Sequence, residues 1–175
     1  VVINTTGEPL SSTENIKPIL LGRSSLSDLE IETYSDQWED REEWFWQNRG
    51  KDNTADNGLN EFFIWYWQIG LMQEKAWKDG KPISLNPREL FVNAPTKITE
   101  NANEIKLSLD NYNKFCSLDN INKYFLALKK LVNAIVEDSE LRCVLLSMQV
   151  KKKDSNISLS NTDSVWNWLR KCDLD

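Results

Sequence analysis

The chain contains no histidine. A Ser-His-Asp triad, a Cys-His dyad, a histidine-metal nuclease or a zinc deaminase therefore cannot be built from these residues alone. Catalysis by this chain would be restricted to carboxylates, lysines, tyrosines or Mg²⁺-type sites. Cysteine is almost as scarce: Cys116, Cys143 and Cys172 are an odd number at wide spacing, with no CxxC pair. That excludes the usual zinc constellations and a disulfide framework, and suggests buried free thiols in a reducing cytoplasm. Only 6 glycines occur, and neither GxxxxGK nor GxGxxG can be found, so a phosphate-cradling loop is missing. No run reaches the ~18 apolar residues of a membrane span. The longest, Phe62 to Met72, is broken by Gln68 and reads as a buried helix. An initiator Met, a basic leader and a signal cleavage pattern are lacking as well. An opening of Val1-Val2-Ile3 reads as a chain cut from something longer.

What is present fits one helical domain over residues 1–175. With 40% apolar and 27% charged residues, 175 residues can fill one hydrophobic core but not two comfortable ones. The net charge of −6 argues against a dominant nonspecific nucleic-acid surface. Eight acids between Asp28 and Glu43 face the single base Arg41, whereas Lys129-Lys130 and Lys151-Lys152-Lys153 make the later half more basic. Such a basic patch either meets phosphate or is a solvated face.

Pattern and punctuation predict a mainly α fold, an irregular bundle of five to seven helices with a short strand remnant at the N-terminus. Ser11 with Glu14 has the capping-box spacing, so a helix carrying Ile16, Ile19 and Leu20 is expected to start there. Pro18 either kinks it or sits in its first turn if it starts late. Residues 24–33 read as a loop or a short helical extension. A helix over 35–48 places Trp38, Arg41, Phe45 and Asn48 on one side, and Gly50 closes it. Residues 59–78 form a helix apolar on most sides, with Phe62, Phe63, Tyr66, Ile69, Gly70 and Gln73 on one stripe. Such a helix is normally central, and Gly70 is placed to let another helix approach. Asn86-Pro87 begins a short helical turn, and residues 92–103 carry the weakest pattern. Ser108–Phe115 is echoed by Ser117–Tyr124, read as two consecutive Ser-capped helix starts. The second opens an amphipathic seam of Leu118, Ile121, Phe125, Leu128, Val132 and Ile135. Ser139, and then Asn161 or Thr162, are expected to cap two further helices.

Three features could carry chemistry. The 8 tryptophans could stack on bases or cage a ligand, although their spacing fits core packing; Trp46 and Trp168 are the candidates for exposure. Glu39 and Glu43, four apart on one helix face, could gather Mg²⁺, or could simply favour a helix N-terminal half. Asn4 to Glu8 runs from a strand end through a turn at Gly7 to a helix start, a geometry that presents backbone N–H groups to a ligand.

Those last residues carry a resemblance. Ile3-Asn4-Thr5-Thr6-Gly7-Glu8-Pro9-Leu10-Ser11, followed by Glu14, Ile16 and Lys17, resembles a signature of a large bacterial family. That family is the domain of unknown function at the N-terminus of GmrSD-type, modification-dependent restriction enzymes. Trp38, Glu42 and Phe45-Trp46 fit its helical stretch more loosely. The resemblance implies that residues 1–25 end a ParB-like signature region and that 26–175 are the helical region behind it. It implies Asn4, Gly7, Glu14 and Lys17 as residues near a nucleotide or DNA, with Leu10 also matching. The Asp-Gly-Gln-Gln-Arg motif of the family's ParB-like segment and its His-Asn-His nuclease tail are not in this sequence. The expected partners are that ParB-like region, a nuclease domain and, through the parent protein, DNA, with no membrane. No cofactor is expected here, while the parent would use a nucleoside triphosphate and Mg²⁺. The leading expectation is a noncatalytic helical portion of a cytoplasmic restriction or anti-phage defence protein. The alternatives are a protein-interaction module with a Trp-rich surface, and a carboxylate-metal enzyme using Glu39 and Glu43.

Overall fold

Short polar side chains decide where most of the helices begin. The computed structural model describes residues 13, 15–23, 25–50, 56–73, 86–92, 98–100, 103–105, 107–148 and 159–171. The helices are α1 (Ile16–Gly22), α2 (Asp28–Gln47), α3 (Asp56–Gln73) and α4 (Pro87–Val92), followed by α5 (Leu109–Phe115), α6 (Leu118–Glu137), α7 (Ser139–Met148) and α8 (Thr162–Lys171). Between α4 and α5 lies an antiparallel pair, β1 (Ile98–Glu100) and β2 (Asn103–Ile105), in the register Ile98 to Ile105. The fold is thus the mainly α, irregular bundle that the pattern predicts, with eight helices among the described residues where five to seven were expected. The N-terminal strand remnant lies outside the described residues.

Ser27 caps α2 in a complete capping box: its hydroxyl accepts from the Glu30 N–H while the Glu30 carboxylate accepts from the Ser27 N–H at 2.8 Å. That lowers the Glu30 pKa, through the backbone bond first and the hydroxyl second. Helix α2 therefore starts at Asp28, well ahead of the start expected at 35, and takes in most of the stretch read as a loop or a short extension of the preceding helix. Ser108 and Ser117 cap α5 and α6, and Asn161 caps α8 by accepting from the Ser164 N–H at 2.8 Å. Asp138, rather than Ser139, caps α7, accepting from the Leu141 N–H at 2.9 Å. Helix α1 starts late, at Ile16, so Pro18 occupies its first turn, where its missing N–H costs nothing. Ser11 and Glu14 lie outside the described residues.

Aromatic side chains from four helices fill the centre. Phe45 of α2 meets Phe62 of α3, Phe125 of α6 and Trp166 of α8 at ring-centroid distances of 5.7, 5.7 and 5.4 Å. Trp38, on the same α2 face, stacks on Phe63 at 5.7 Å. A second group lies between α3, α4 and α5, where Trp67 packs on Phe91 at 5.1 Å and on Phe115 at 5.3 Å. All six seam positions of α6 are buried, as expected from their spacing. On α3 the outcome differs: Ile69 is 40% exposed, while Trp67 and Leu71 are fully buried. An apolar helix offers several faces, and the neighbours decide which one is covered.

Two glycines permit close approaches. Gly50 has φ +67°, and its N–H donates to Asp163 Oδ1 at 2.7 Å, joining the end of α2 to the start of α8. The same junction holds buried Asn48, which accepts from Thr162 Oγ1 at 2.6 Å and from Asn167 Nδ2, through its carbonyl, at 3.0 Å. At Gly70, a Cβ would lie 2.6 Å from the Phe115 ring. Gly70→Ala is expected to cost about 1–3 kcal/mol through overpacking. Gly22→Ala, where a Cβ meets nothing within 4 Å, is expected to gain about 0.4–1 kcal/mol. Urea unfolding of both variants measures the contrast, and equal midpoints would contradict it.

Candidate functional site

The α1 end, the α1–α2 connection, α2 and the α5–α6 corner leave a cavity of about 340 Å³. Its size falls in the range of small-molecule sites. The echoed sequence makes the corner: one Ser-capped helix ends at Phe115 and the next starts at Leu118, so Cys116 and Ser117 face the space between them. Leu20 and Arg23 come from α1 and its cap, Leu26 from the connection, and Tyr34 from α2. Asn113 and Leu118 complete the lining from α5 and α6.

Arg23 is the one cation in that lining, and its guanidinium is held in place. Nη2 donates to the carbonyls of Phe91 and, at 3.1 Å, Val92, the last turn of α4. A cation suits a helix C-terminus, whose carbonyls lack intrahelical partners. Nη1 donates to Cys116 Sγ at 3.5 Å, and the guanidinium lies 5.2 Å from the Tyr112 ring centroid. Tyr112 donates to the carbonyls of Leu90 at 2.9 Å and Phe91 at 3.1 Å, so arginine and phenol cap the same helix end. Burial, and secondarily the neighbouring Cys116, pushes the Tyr112 phenol up to about 12. Burial also raises the Cys116 thiol, against the weaker opposing effects of Tyr112 and Arg23. A thiol held protonated is a poor nucleophile. Tyr34 is shifted upward by burial first and then by hydrogen bonding to Asp119, with Glu30 adding negative charge nearby.

Deeper in the α2–α6 seam sits Arg41, 1% exposed. Nη1 donates to Asn122 Oδ1 at 3.3 Å, and the guanidinium lies 5.1 Å from the Trp38 ring centroid. Nε and Nη2, the two donors of its side-on edge, have no hydrogen-bond partner, nor do the nearby Gln37 Oε1 and Trp38 Nε1. Burial lowers the Arg41 pKa to about 10, with Glu42 and Asp40 opposing it by their charge.

Of the residues implied by the resemblance, Asn4, Gly7, Leu10 and Glu14 lie outside the described residues. Lys17 is on α1 and pairs with Glu39 of α2 at 3.5 Å; it does not line the cavity. Glu39 is thus engaged with a lysine, and Glu43 accepts from Gln47 at 2.8 Å on an exposed face. Among the described residues, no group of three or more His, Cys, Asp or Glu is placed to hold a metal ion. Lys129 lies 5.5 Å from the Phe125 ring centroid, and Lys151–Lys153 lie outside the described residues. Trp38, Trp67, Trp166 and Trp168 are buried, and Trp44 and Trp65 are partly so. Trp46 is exposed and carries the Arg49 guanidinium 4.1 Å from its ring centroid. Trp77 lies outside the described residues. Among the described tryptophans there is one exposed ring rather than a Trp-rich surface.

Comparison with protein-family models, curated proteins and solved structures found no match. Among the described residues, no helix is long and apolar enough to cross a membrane. Sequence reasoning singled out neither Arg23 nor Tyr34, because no motif links them. The available signal was the Ser117 cap, which fixes the corner of the cavity.

Arg41 supplies the test of the local electrostatics. Its folded pKa, about 10, lies below the ordinary guanidinium value, so the unfolded chain binds this proton more tightly. The resulting penalty is complete below pH ~10 and is relieved only as pH rises above that. Arg41→Met is therefore expected to raise stability at neutral pH by about 1–3 kcal/mol. Urea unfolding at pH 7 measures this, and a loss above about 1 kcal/mol would show that the single bond to Asn122 outweighs the buried charge.

Proposed function

We propose that this chain is the noncatalytic helical portion of a GmrSD-type restriction or anti-phage defence protein. In that reading it works in the bacterial cytoplasm and supports a nucleotide-dependent, DNA-acting core. The parent's ParB-like region would handle the nucleoside triphosphate with Mg²⁺, and its nuclease domain would cut DNA. Asn4, Gly7, Glu14 and Lys17 would then lie where the helical portion meets that core.

The observation that supports the noncatalytic part is the engagement of Arg23, Tyr66 and Tyr112 in holding helices together. Tyr112 and Arg23 cap α4. Tyr66 donates to the Phe115 carbonyl at 2.9 Å and accepts from Asn120 Nδ2 at 2.7 Å. Burial raises the Tyr66 phenol too, against the opposing effect of Asn120. None of these phenols is poised to lose a proton near neutral pH, and a general base needs a pKa near its working pH. The signature from Ile3 to Lys17 supports the family assignment.

The test is an assay of the purified chain with nucleoside triphosphates and Mg²⁺, and with DNA bearing modified or ordinary bases. Neither phosphate release nor strand cleavage above a protein-free control is expected. Turnover of either substrate would overturn the noncatalytic reading.

A further inference from the structure

We propose that the cavity at the α5–α6 corner binds a small amphipathic monoanion, a singly charged carboxylate or phosphate ester on a short apolar body that fits about 340 Å³. The inference is independent of the family proposed above.

Three observations carry it. First, the head-group position is built in advance. Arg23 lines the cavity and is exposed, yet its Nη2 is bonded to the end of α4 and its guanidinium carbon lies 5.2 Å from the Tyr112 ring centroid. A guanidinium has five N–H donors, and the bonds to Phe91, Val92 and Cys116 engage three of them. A fixed cation with donors to spare binds an oxyanion at little cost in side-chain entropy. Second, Leu20, Leu26 and Leu118 line the same space. Leu20 and Leu118 are already buried, so the apolar surface left to cover, worth about 25 cal/mol per Å², is mainly that of half-buried Leu26. A hydrated inorganic ion would leave that surface unused, so Leu26 favours a ligand with an apolar body. Third, the charge around the cavity limits the ligand to one negative charge. Asp119, bonded to Tyr34, and Glu30 place negative charge near Tyr34, although neither lines the cavity. A second negative charge on the ligand would find no further cation in the lining and would be repelled by both carboxylates.

The probes are octanoate, monomethyl octyl phosphate and octanol, each titrated into the intact chain and followed by saturation-transfer NMR and melting temperature. The two anions distinguish carboxylate from phosphate-ester recognition and share chain length with the neutral alcohol. Either anion is expected to bind at least about ten-fold more tightly than octanol, a difference of about 1.4 kcal/mol. Leu26→Trp, which fills the cavity and leaves the Arg23 contacts in place, is expected to abolish binding of all three. Arg23→Gln is expected to reduce the anions to the affinity of octanol. The proposal is overturned if the alcohol binds as well as both anions, if Leu26→Trp binds like the wild type, or if no probe binds at millimolar concentration. Arg23→Gln could unfold by losing the α4 cap, and for that reason the wild-type anion-to-alcohol ratio and Leu26→Trp decide the matter alone.

Discussion

Phe45 is the residue on which the arrangement depends. Its ring meets Trp44 of its own helix at 5.0 Å, and rings from α3, α6 and α8 at 5.4 to 5.7 Å. Each such pair is worth about 0.5–1.5 kcal/mol beyond the area it buries. Because α8 lies more than a hundred residues along the chain from α2, these contacts close the longest loop among the described elements. The loop-closure entropy must be offset there, and a cluster of large rings does it with few residues. The polar junction of Gly50, Asn48, Thr162 and Asn167 then fixes how α8 enters.

The cavity sits where that cluster gives way. Along the α2–α6 seam the facing pairs run from Tyr34 with Asp119, through Arg41 with Asn122, to Trp44 and Phe45 with Phe125. The seam is thus polar at its start and aromatic at its end. Arg41 marks the transition, a charge carried into a dry region with only one of its nitrogens bonded. At the polar end the space between α1 and the α5–α6 corner is left open, and Arg23 in its lining is bonded to the end of α4.

Much of this was legible in the residues. The α6 seam was, because alternating three- and four-residue spacings with polar residues between them leave one possible buried face. The α2 face was read correctly even at Arg41 and Asn48, which periodicity places inside despite their polarity. The start of α2 was not, because Leu29 and Ile31 are exposed and the acid-rich turn carries no apolar period. Only the Ser27–Glu30 box marked it. Helix α3 misled in the opposite way, since near-uniform apolarity does not say whether Ile69 or Trp67 turns inward. The pair β1–β2 lies in a stretch whose pattern was too short to register, three residues per strand. The cavity was not readable at all: Arg23, Tyr34 and Ser117 come from separate segments, and only their packing makes them neighbours. Of the signature positions near the N-terminus, Ile16 is buried in the core and Lys17 is in an ion pair with Glu39.

The central claim is that the aromatic cluster makes α8 an integral part of the core. With 10 residues, α8 is shorter than the ~12–15 that an isolated helix needs to be even marginally stable in water. Its order must therefore come through Trp166 and the Asn48 junction. Native-state hydrogen exchange of the central amides of α8 tests this directly. The account predicts protection matching that of α6, and equal to the unfolding free energy from urea. Exchange of the α8 amides at roughly half that free energy or less would show α8 opening by itself and would contradict the account.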